Sequence, residues 1–185
     1  KADKHQTLQY CVKHNKTFYV HAPLIANLAK DEATKSLQIV EKELKIVDEL
    51  PAAVVLHIGK VGTIANVCDN INQLMTTGSL TRSSFDKVPF HLLLEVAAGQ
   101  GTEIGRNWEE IRHIYEGLDK TMVGICVDTQ HAFASGMNKF ETHENVVELF
   151  TTAQSIVPKG ISMIHLNDST KPFGSRVDRH AVLKQ

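Results

Sequence analysis

Residues 164–180, reading IHLNDSTKPFGSRVDRH, gather cation-binding groups into one turn-rich stretch: His165, Asp168, Asp178 and His180. The apolar run at 160–164 (GISMI) predicts a short buried strand with His165 at its C-terminal end, and the polar, Pro- and Gly-punctuated residues after it predict a functional loop. Asp178 and His180 then stand two apart. In an extended segment residues i and i+2 point the same way, so one carboxylate and one imidazole could close on a single ion. The competing reading of the same residues is a salt-bridged surface turn, with Arg176 and Arg179 pairing Asp168 and Asp178.

Four earlier apolar runs end in the same way. TFYV (17–20) is followed by His21, AVVL (53–56) by His57, PFHLLL (89–94) by Glu95 and MVGICV (122–127) by Asp128, with His131 three residues further on. A lone histidine at a strand end is usually structural, tied to a nearby carbonyl or acid. Imidazoles and carboxylates at corresponding positions of successive strands instead describe a site for a borderline ion such as zinc, manganese or iron. His131, Asp178 and His180 could serve a further ion. The remaining histidines, His5, His14, His91, His113 and His143, read as surface or packing residues within helices or a strand interior.

The elements between these runs are helical. Residues 33–50 place Leu37, Val40, Leu44 and Val47 on one face, residues 108–118 do so with Trp108, Ile111, Tyr115 and Leu118, and helices are also predicted over 3–16, 64–75 and 143–156. Residues 76–87 are polar and read as a surface connection. Strand, loop and helix recurring at near-regular intervals, without hairpin signals, predict parallel βαβ units buried on both faces. A doubly wound sheet would fit that pattern too. A closed barrel, however, brings its strand C-termini to one mouth, where the sites of such barrels lie. The expected fold is therefore α/β, a TIM (β/α)8-type barrel. Such barrels usually need about 250 residues, so 185 residues predict a single but partial barrel domain over 1–185 that lacks its first and last βα units.

Composition excludes several classes. With 42% hydrophobic and 22% charged residues and no long apolar run, no membrane span or secretory signal is expected. Three scattered cysteines, Cys11, Cys68 and Cys126, argue against a disulfide framework or a cysteine zinc site and for an intracellular, reducing compartment. A net charge of −1 lacks the basic footprint of a nucleic-acid binder, an objection that bound divalent ions would weaken.

HLNDS followed by GSRVDRH resembles the late-barrel motif of the endonuclease IV family of zinc-dependent apurinic/apyrimidinic endonucleases. HAPLIANLA (21–29), LHIGK (56–60), LLLEVAAGQG (92–101) and VGICVDTQHAFASG (123–136) resemble further motifs of that family, in its order and spacing. The resemblance implies a trinuclear zinc site, with manganese a compatible substitute: His21 and His57 on a first ion, Glu95 as catalytic bridge to a second, Asp128 and His165 on that second, and His131, Asp178 and His180 on a third. It implies cleavage of the DNA backbone 5′ to an abasic site, leaving a 3′-hydroxyl, by a monomer acting on double-stranded DNA. Leu24, Ile58, Val96 and Gln130 stand where the family commonly has Tyr, Pro, Asn and Cys. Its last glutamate ligand has no counterpart up to Gln185 and its N-terminal strand none after Lys1, so these residues alone are expected to bind fewer than three zinc ions. Two alternatives stay open: a divalent-metal sugar isomerase or epimerase, which has no use for the trio His131, Asp178 and His180, and an inactive fragment of the endonuclease.

Overall fold

The computed structural model describes residues 3–183. A parallel five-stranded sheet runs in the order β1 (Phe18–His21), β2 (Ala52–His57), β5 (Leu92–Glu95), β6 (Val123–Asp128) and β7 (Ile161–His165). Spatial order follows chain order throughout. A doubly wound sheet would reverse direction at a switch point, so this sheet has barrel topology. The registers step as a tilted barrel wall requires: His21 lies opposite Val55, two short of His57, and Glu95 opposite Cys126, two short of Asp128, whereas His57 is level with Glu95 and Asp128 with His165.

Helices α1 (Lys4–His14), α2 (Thr34–Val47), α3 (Ile64–Thr76), α4 (Trp108–Glu116) and α6 (His143–Ile156) occupy the segments predicted for them. Their apolar faces pack on the outward side of the sheet, where Val54, Leu56, Leu92, Leu94, Val123, Ile125 and Val127 meet Leu37, Val40, Val67, Ile71, Ile111, Ile114 and Leu149. The alternate residues Ala53, Val55, Leu93 and Cys126 face inward with Tyr19 and Met163. Burial on both faces is why β2, β5 and β6 read as continuous apolar runs, whereas β1 and β7, at the edges of the sheet, are only partly covered. No helix among the described residues is long and apolar enough to cross a membrane.

Three features depart from the expectations. Residues 76–87 are not merely a surface connection: β3 (Arg82–Phe85) pairs antiparallel with β4 (Val88–Phe90) in a hairpin, and Val88 and Phe90 pack into the inward-facing cluster. The run at 89–94 is therefore two strands rather than one. Pro89, which cannot donate to a ladder, fits a two-stranded ribbon, and the Ser- and Arg-rich β3 lacks the alternation that would have marked it. The third departure is α5 (Thr129–Ser135), which carries His131 on a helix. Two further short strands, β8 (Asp168–Ser169) and β9 (His180–Ala181), close the loop after β7.

His5, His14, His113 and His143 are exposed helical residues, but His91 is buried in the break between β4 and β5. Its carbonyl accepts from the Val54 amide at 2.8 Å, its Nδ1 lies 3.3 Å from Thr81 Oγ1 and its Nε2 has no hydrogen-bond partner. Burial, against the attraction of Asp48, holds its pKa below the ordinary 6.5. Above pH 6.5 the ring is neutral folded or unfolded. As pH falls below 6.5 the unfolded chain takes up a proton that the folded one resists, so stability is lost there, by at most about 1.4 kcal/mol per pH unit from this group. Urea denaturation between pH 7.5 and 5 should give a shallower decline for His91→Gln than for the parent. Parallel declines would remove His91 as the cause.

Candidate metal centre

Strand ends, α5 and the segment that returns after β7 bring all eight predicted residues, His21, His57, Glu95, Asp128, His131, His165, Asp178 and His180, to the mouth formed by the C-terminal ends of the strands. Glu95 is at the middle, only 1% exposed, and its two oxygens face opposite ways. Oε2 lies 3.0 Å from His21 Nε2 and 3.4 Å from His57 Nε2, while Oε1 lies 2.8 Å from His165 Nδ1 and 3.6 Å from His131 Nδ1. The imidazoles form a chain around it: ring centroids are 5.8 Å apart for His165 and His21, 5.1 Å for His21 and His57, and 5.5 Å both for His57 and His131 and for His131 and His180.

Local structure aims several of these groups. His21 Nδ1–H donates to the Ala22 carbonyl at 2.9 Å and His131 Nδ1–H to the Val96 carbonyl at 3.0 Å, so in each ring Nε2 is the atom turned into the cluster. Asp128 caps α5, its Oδ1 accepting from the Gln130 and His131 amides, and its Oδ2 accepts from Asn167 Nδ2 at 2.6 Å. The β8–β9 ladder, with Ser169 opposite His180, folds the loop back so that His180 returns to the mouth. Asp178 Oδ1 is then 3.2 Å from His180 Nε2 and its Oδ2 3.5 Å from His131 Nε2. The competing salt-bridged turn is not what forms: among the described residues Asp178 makes its ion pairs with these two histidines, and Asp168 Oδ1 accepts from the Ser169 amide.

As protein alone, the cluster is held by charge. Burial by itself would raise the Glu95 pKa, but hydrogen bonds from His165 and His21 and the charges of His57 and His131 hold it far below the usual carboxylate range. Burial likewise opposes charging His131, yet Asp178, Asp128 and Glu95 carry its pKa up to about 9. The Glu95 hydrogen bond raises His21 against burial, burial lowers His57 against the pull of Glu95, and the neighbouring His131 lowers Asp178.

A donor set of imidazole nitrogens and carboxylate oxygens suits zinc and its neighbours. One atom tests the fit directly: His131 Nε2 is buried and faces Asp178 Oδ2 at 3.5 Å without forming a hydrogen bond of good geometry, while its Nδ1–H is fixed on a carbonyl, the usual arrangement of a ligating histidine. Three groups have ligand atoms close enough to share an ion: His21, His57 and Glu95; Glu95, Cys126 and His165; and Asp128, His131 and His180. Cys126 enters as a neighbour that its isolated place in the sequence does not suggest. Burial and the charges of Glu95 and Asp128 push its thiol well up. Asp128 Oδ2, 3.8 Å from His165 Nδ1 and 3.9 Å from His180 Nε2, stands between the second and third groups.

The family model for xylose isomerase-like TIM barrels matches residues 1–185. The chain belongs to this family. Within the xylose isomerase-like barrels it is similar to endonuclease IV: it is 35% identical over 182 residues to the probable endonuclease 4 of Mycoplasmoides gallisepticum, covering 93% of this chain and 58% of that protein. The crystal structure of endonuclease IV from Thermus thermophilus superposes with a TM-score of 0.72 at 29% identity, over 89% of this chain and 58% of that one. A D-tagatose 3-epimerase-like protein shares the fold, with a TM-score of 0.66 at 18% identity, over 90% of this chain and 61% of that one. The chain thus spans somewhat over half the length of the relatives it matches.

Residues that motif reading passed over or named only as departures support this barrel mouth. Asn167 holds Asp128, the carbonyls of Ala22 and Val96 orient imidazoles, and Gln100 Oε1 accepts from the Asp178 amide at 3.1 Å. Asn167 lies inside the quoted HLNDS motif, its one signal. A carbonyl has no signal in sequence.

Proposed function

We propose that the protein to which this chain belongs hydrolyses the DNA backbone on the 5′ side of abasic sites, leaving a 3′-hydroxyl, at a centre of three zinc ions. The reading rests above all on Glu95, whose oppositely directed oxygens suit a bridge between His21 with His57 on one side and His165 with Asp128 on the other. His131, Asp178 and His180 supply a third group. What such ions supply when bound is Lewis acidity toward a phosphate and toward water. The chain's own part is positional: buried Glu95 orients the groups around it, Asn167 and the α5 amides fix Asp128, and a cleft of about 380 Å3 beside His57 receives substrate. Leu24 and Ile25, each 77% exposed, form the cleft's lip. A nucleotide must leave the stack to reach such a recess, and a missing base makes that less costly. We further propose that residues 1–185 are part of a single barrel domain, that the protein acts as a monomer, and that, from its scattered cysteines, it works in a reducing intracellular compartment.

The test is a duplex carrying one tetrahydrofuran abasic analogue, incubated with and without chelator. Nicking 5′ to the analogue that chelator abolishes is expected; intact DNA alongside turnover of a ketose would favour the isomerase or epimerase, and neither activity the inactive fragment. His131→Ala and His180→Ala should each lower zinc content by about one ion per chain and weaken nicking. Elemental analysis returning the parental metal count for both would make these residues structural.

A further inference from the structure

The third group is carried by a helix and by the loop that helix grips. Gln130, in the first turn of α5, is wholly buried and reaches across to that loop: its Nε2 donates to the Val177 carbonyl at 3.1 Å and lies 3.4 Å from Ser169 Oγ. Val177 immediately precedes Asp178, and Ser169 is the ladder partner of His180. Around this contact the Phe133 and Ala134 carbonyls of α5 accept from the Gly174 and Arg176 amides, and Thr129 exchanges hydrogen bonds with Asn167. Gln130 Oε1 is buried without a partner. Turning the amide over would not relieve it, because an oxygen would then face the Val177 carbonyl; the network sets the orientation. A buried amide kept at the cost of an orphaned oxygen, in contact with β8 at Ser169 and with Val177 ahead of β9, calls for a role.

We infer that Gln130 is a positioning residue for the third metal group: by holding Val177 and Ser169 it sets Asp178 and His180 opposite His131 on the same helix. The inference rests on the metal-centre reading. Gln130→Met keeps the side chain's length and removes both donors. In zinc titrations against a competing chromophoric chelator, Gln130→Met should weaken one binding equivalent by about tenfold or more, as loss of an outer partner does. It should be the equivalent lost in His180→Ala, so that the double variant shows no further change. Ser169→Ala, which removes the longer Gln130 contact together with the hydroxyl's hydrogen bonds to Lys171, should weaken the same equivalent. In metal-free protein, amide exchange over residues 170–181 should be faster in Gln130→Met while that of β2 and β5 is unchanged. Equal affinities in parent and Gln130→Met, or equal weakening of every equivalent, would overturn the inference. A parent that binds no zinc would instead overturn the metal reading, and loop exchange would then decide alone whether Gln130 holds the loop: faster exchange supports that role and unchanged exchange ends it.

Discussion

Glu95→Gln is expected to reduce nicking of abasic DNA by at least about 100-fold while leaving the fold intact, since outer partners of metal ligands are themselves worth about 10–100-fold. The amide is nearly isosteric but presents one acceptor oxygen, whereas Glu95 meets imidazoles from both sides, His21 and His57 at Oε2, His165 and His131 at Oε1. One of those sides would face an NH2 group, which can neither accept from an imidazolium nor bind a cation. Losing the charge would also lower the tendency of His21 and His131 to be protonated, because Glu95 helps to raise both. Nicking rate, zinc content and circular dichroism measured together separate these effects. A variant that nicks near the parental rate would end the bridging role, and one that loses its spectrum would mean that Glu95 is needed for folding instead.

The second large effect is expected at Gly62. A Cβ there would fall 1.7 Å from the Ala29 carbonyl oxygen, which already accepts from the Thr63 amide and Asn66 Nδ2, each at 3.0 Å. Backbone meets backbone at this point, so no flexible side chain can give way. Gly62→Ala should cost about 3 kcal/mol or more, the upper range for overpacking, and should displace the 22–33 segment that forms the cleft's lip. Gly78 is the control: nothing lies within 4 Å of its Cβ direction, and alanine there meets only the penalty of a left-handed φ of 73°, about 1–2 kcal/mol. Urea denaturation of the two variants should separate them clearly; equal losses would mean that the Ala29 contact is not what requires glycine at position 62.

The amino-acid sequence by itself determined the barrel wall and the identity of the candidate ligands. Each strand is an apolar run, continuously so where β2, β5 and β6 are buried on both faces, so a His, Glu or Asp ending each run was conspicuous, and Asp178 with His180 showed their shared side through the two-residue repeat of extended chain. What only the tertiary structure decided is how those groups are shared out and held. Asp128 sits between two groups, Asp178 completes the third, and Cys126 approaches Glu95 and His165 because of how staggered strands meet at a curved mouth. The β3–β4 hairpin has no mark in the sequence because its buried members, Val88 and Phe90, owe their burial to β2 and β6 rather than to any local alternation. Gln130 was legible only as a departure from a motif: its hydrogen bond spans 47 residues of chain to Val177, and a contact across that separation exists only once the parallel strands have brought α5 and the returning loop together.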